Sequence, residues 1–64
     1  MSLIKGMHEE MNRARELKKM YAEIPTGAFG MIAIQSTIDR AEKSIEEDNV
    51  VDMVKLYAEL KELK

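Results

Sequence analysis

Ile24-Pro25-Thr26-Gly27-Ala28-Phe29-Gly30 is the stretch on which the reading of this chain turns. It holds the only proline and two of the three glycines. A residue ahead of proline is driven out of the α region, so a helix arriving from the N-terminal side stops at about Ile24. Thr26 is a good N-cap residue for a helix leaving on the other side. Gly27 and Gly30 permit a tight turn and the close approach of a second helix. Phe29 is expected to plug the top of the core.

Upstream of the turn, Met7, Met11, Ala14, Leu17, Tyr21 and Ile24 recur at steps of three and four. That spacing predicts one apolar stripe on a helix over about 3–24, with a charged opposite face. Downstream, Met31, Ile34, Ile38, Ala41 and Ile45 alternate steps of three and four over two heptads, which predicts a helix over about 27–47. Its first turns are apolar nearly all round, because Ala28, Phe29, Ile32 and Ala33 lie off the stripe. Glu46-Glu47-Asp48-Asn49 is poor at a helix C-terminus and good at an N-terminus, given the helix dipole. Asp48 or Asn49 therefore caps a third helix over about 50–63, with Met53, Leu56, Leu60 and Leu63 on its stripe. The alternative is a kink near Asp48 in one long second helix.

The expected fold is thus all-α: a small antiparallel bundle of three helices in a single domain spanning 1–64, completed by oligomerisation. A chain of 64 residues buries only roughly 60% of the surface its unfolded form exposes, so it is marginal on its own. No stretch approaches the roughly 20 apolar residues of a bilayer-spanning helix. The N-terminus lacks the pattern of a secretory signal, and there is no cysteine. A cytoplasmic protein without a membrane partner is the expectation.

Composition narrows the chemistry. Absent cysteine excludes disulfides, thiol catalysis and thiolate metal sites, and a single histidine excludes a multi-histidine one. His8-Glu9-Glu10 resembles the start of a zinc-protease helix motif, but Asn12 stands where the second histidine belongs. His8 reads as an exposed surface residue. No hydroxyl has a positioned base, and there is no nucleophile elbow. Most carboxylates have a base three or four residues away, as in Glu9 with Arg13, Asp39 with Lys43 and Asp52 with Lys55. Glu42 and Glu46 repel each other, and a metal bridging them is a minor reading. Neither a catalytic residue nor a cofactor or metal site is expected.

The net charge is −2, split as +1 over residues 1–24 and −3 over 25–64. Duplex binding normally needs a clear basic excess, so nucleic acid is disfavoured. Six methionines are many for this length, and methionine more often fills core gaps than lines an adaptable groove.

The functional expectation is a non-catalytic helical protein that acts by self-association, a homodimer first, or by binding another protein as a structural or regulatory adaptor. Its interface is assigned to Phe29, Gly30, Met31, Ile32, Ile34 and Ile38. A second reading is a small-ligand or anion-binding oligomer whose site is the helix start at Thr26, Gly27 and Ala28, served by Arg13, Arg15, Lys18 or Lys19. A third is a small regulatory nucleic-acid binder using the basic first helix.

Overall fold

A computed structural model describes residues 2–64. Three helices follow one another: α1 (Leu3–Ala22), α2 (Ala28–Glu46) and α3 (Val50–Glu62). Each packs against the other two, and no strand occurs among the described residues. The bundle measures 37 × 19 × 16 Å.

Local chemistry starts and stops each helix. The Ser2 hydroxyl accepts from Lys5 N and caps α1, a role the sequence reading did not assign. α1 ends ahead of Pro25, with the amides of Glu23 and Ile24 donating to Met20 and Tyr21 carbonyls. The N-cap of α2 is Gly27 rather than Thr26, and no side chain caps it. Thr26 sits one residue too early to reach the first free amides. Between α2 and α3 the chain makes two separate helices, not one kinked one. Asp48 adopts φ 52°, Asp48 N donates to Ile45 O and Asn49 N to Ser44 O. This left-handed closure satisfies the last carbonyls of α2. Asn49 then caps α3, its side chain accepting from Asp52 N.

The core is built from all three stripes. α1 gives Met7, Met11 and Ala14; α2 gives Ile34, Ile38 and Ala41; α3 gives Met53, Leu56 and Leu60. Leu17, Tyr21, Ile45 and Leu63 pack half-buried around it. Met31 also lies half-buried, at the edge of the stripe rather than its centre. The two buried hydroxyls are satisfied within α2, Thr37 by Ala33 O and Ser44 by Ala41 O.

Phe29 does not plug this core; it is 86% exposed. It precedes Ile34 by five residues, so at about 100° per residue it stands roughly 140° away from the buried side of α2. Tyr21 fills the place expected of it. A Cβ on Gly30 would overlap the Tyr21 ring, and one on Gly27 would overlap the Tyr21 carbonyl oxygen. Both glycines are there for close approach, as expected. The Tyr21 hydroxyl donates to the Lys64 main-chain oxygen at 2.6 Å, tying the end of α3 back to α1.

Two substitutions test this packing. Ile38→Ala should cost about 2–5 kcal/mol in chemical denaturation, the range for a buried aliphatic truncation. Gly30→Ala sets two effects against each other. Helix propensity alone favours alanine by about 1 kcal/mol, while overpacking against Tyr21 costs about 1–3 kcal/mol. The expected result is net destabilisation in the native background and net stabilisation in a Tyr21→Ala background, where only propensity remains.

Candidate functional site

Several polar side chains bond to one another or to the main chain of a neighbouring helix. Arg13 reaches across to α3, Nη1 donating to Leu63 O at 2.9 Å and Nη2 to Leu60 O at 2.6 Å. Arg13 also pairs with Glu10, Arg15 with Glu42, Lys19 with Glu16, and Arg40 with Glu59. Lys18 donates to Gln35. The pairs expected within single helices did not form: Asp39 accepts from Gln35, and Asp52 accepts from Asn49. In both cases the partner is an amide side chain three or four residues earlier along the same helix, which competes with the lysine on the other side.

Those engagements bear on the anion reading. All four cations proposed to serve residues 26–28 are held elsewhere in the monomer. Thr26 and Ala28 are exposed, Gly27 is buried, and Gly27 N already donates to Ile24 O at 2.9 Å. The first helix presents no free basic stripe either, because three of its cations sit in ion pairs with carboxylates. His8 is exposed, as expected. Glu42 is paired with Arg15, and no cluster of three or more histidine, aspartate or glutamate side chains arranged to hold a metal occurs among the described residues. A shallow, open groove between α2 and α3 is lined by Arg40, Lys43 and Lys55 facing Glu47, Asp52 and Glu59, with charges that balance. Among the described residues, no helix is long and apolar enough to cross a membrane.

Large apolar side chains are exposed as well. Of the six residues assigned to an interface, Ile34 and Ile38 are consumed by the monomer core, Met31 is half-buried and Gly30 carries Tyr21. Phe29 and Ile32 are free on the surface, at 86% and 66% exposure, with Ala28 and Ala33 exposed beside them. Ile24 and Met20 at the end of α1 are exposed as well. The sequence reading places neither on the surface: it puts Ile24 on the buried stripe and favours core filling over an adaptable groove for the methionines of α1, Met20 among them. A second apolar group lies at the opposite end, where Val50, Val51 and Val54 are exposed on the first turns of α3.

No protein-family model, curated protein or solved structure matches this chain. Any functional reading therefore rests on these surfaces.

Because Phe29 touches little within one chain, Phe29→Ala should change monomer stability by less than about 0.5 kcal/mol. Thermal or urea unfolding at a dilution giving single-chain mass checks this. A loss of about 2 kcal/mol or more would place the ring in the monomer core.

Proposed function

We propose that this chain is a non-catalytic helical protein of the cytoplasm that acts by associating with itself, and through such assembly with other proteins, as a structural or regulatory adaptor. The observation that carries the reading is the exposure of Phe29 and Ile32 on the outer side of α2. Large apolar side chains grouped on the surface of a small protein mark an interaction site more often than chance, whereas isolated ones mean little. A short chain with a small core also gains stability from a partner. The polar side chains support no competing chemistry. Four ion pairs lie at the surface, and none of their members stands beside a free nucleophile in an enclosed pocket.

Sedimentation equilibrium at micromolar concentration should return at least twice the 7.3 kDa chain mass. The thermal midpoint should rise with protein concentration, as mass action requires. A single-chain mass together with a concentration-independent midpoint would contradict the reading.

A further inference from the structure

We draw no further inference here: the strongest candidate, the exposed apolar patch of Val50, Val51 and Val54 on the first turns of α3, carries nothing because nothing in the structure shows what covers it.

Discussion

The packing of the Tyr21 ring against Gly30 sets the distance between α1 and α2, and the rest of the molecule is built on that distance. With no side chain at position 30, the ring lies where a Cβ would stand. Gly27 lets the turn fold back just as tightly, against the Tyr21 carbonyl. The same residue then fixes α3 through its hydroxyl, so one side chain joins all three elements. Arg13 supports it from one face further down α1 by satisfying carbonyls at the end of α3, where a helix leaves such groups without partners. Close approach at one end and a cross-helix cap at the other side of the same junction hold α3 in register.

That arrangement has a consequence at the surface. α3 closes the lower part of the bundle, where methionines 7, 11 and 53 and the leucines of α3 are fully covered. Above it the hairpin carries apolar residues with nothing to cover them. The exposed side of α2 changes character along its length, from Phe29 and Ile32 near its start to Asp39, Arg40 and Lys43 further on. A helix intended for water throughout would not need that change. The acidic and basic residues, by contrast, are spread along all three helices, and the four exposed ion pairs among them contribute little to stability, about 0–1 kcal/mol each.

Much of the fold was legible in the sequence. Steps of three and four placed the stripes, Pro25 ended α1, and Asn49 began α3, all because these signals act within one or two turns of the residue concerned. The errors came where a neighbouring helix decides. Phe29 was read as a core plug because a large aromatic beside two glycines fits that role, yet its phase on α2 turns it outward and the ring that fills the space comes from Tyr21. Thr26 was read as a cap from residue type alone, and the close packing of Gly27 moved the helix start past it. Glu42 found Arg15 on another helix, a pairing that no spacing within α2 records. The apolar start of α2 is legible in the sequence, whereas where α3 stops relative to α1 and α2 is a matter of register between helices.

The proposed self-association runs through the exposed start of α2 at Phe29 and Ile32, and not through the valines at the start of α3. A dilution series followed by two-dimensional amide NMR addresses it residue by residue. The account predicts that amides in 17–24 and 28–36 move with concentration while those of 50–54 stay fixed. A spectrum that does not change with concentration, or changes confined to 50–54, would contradict it.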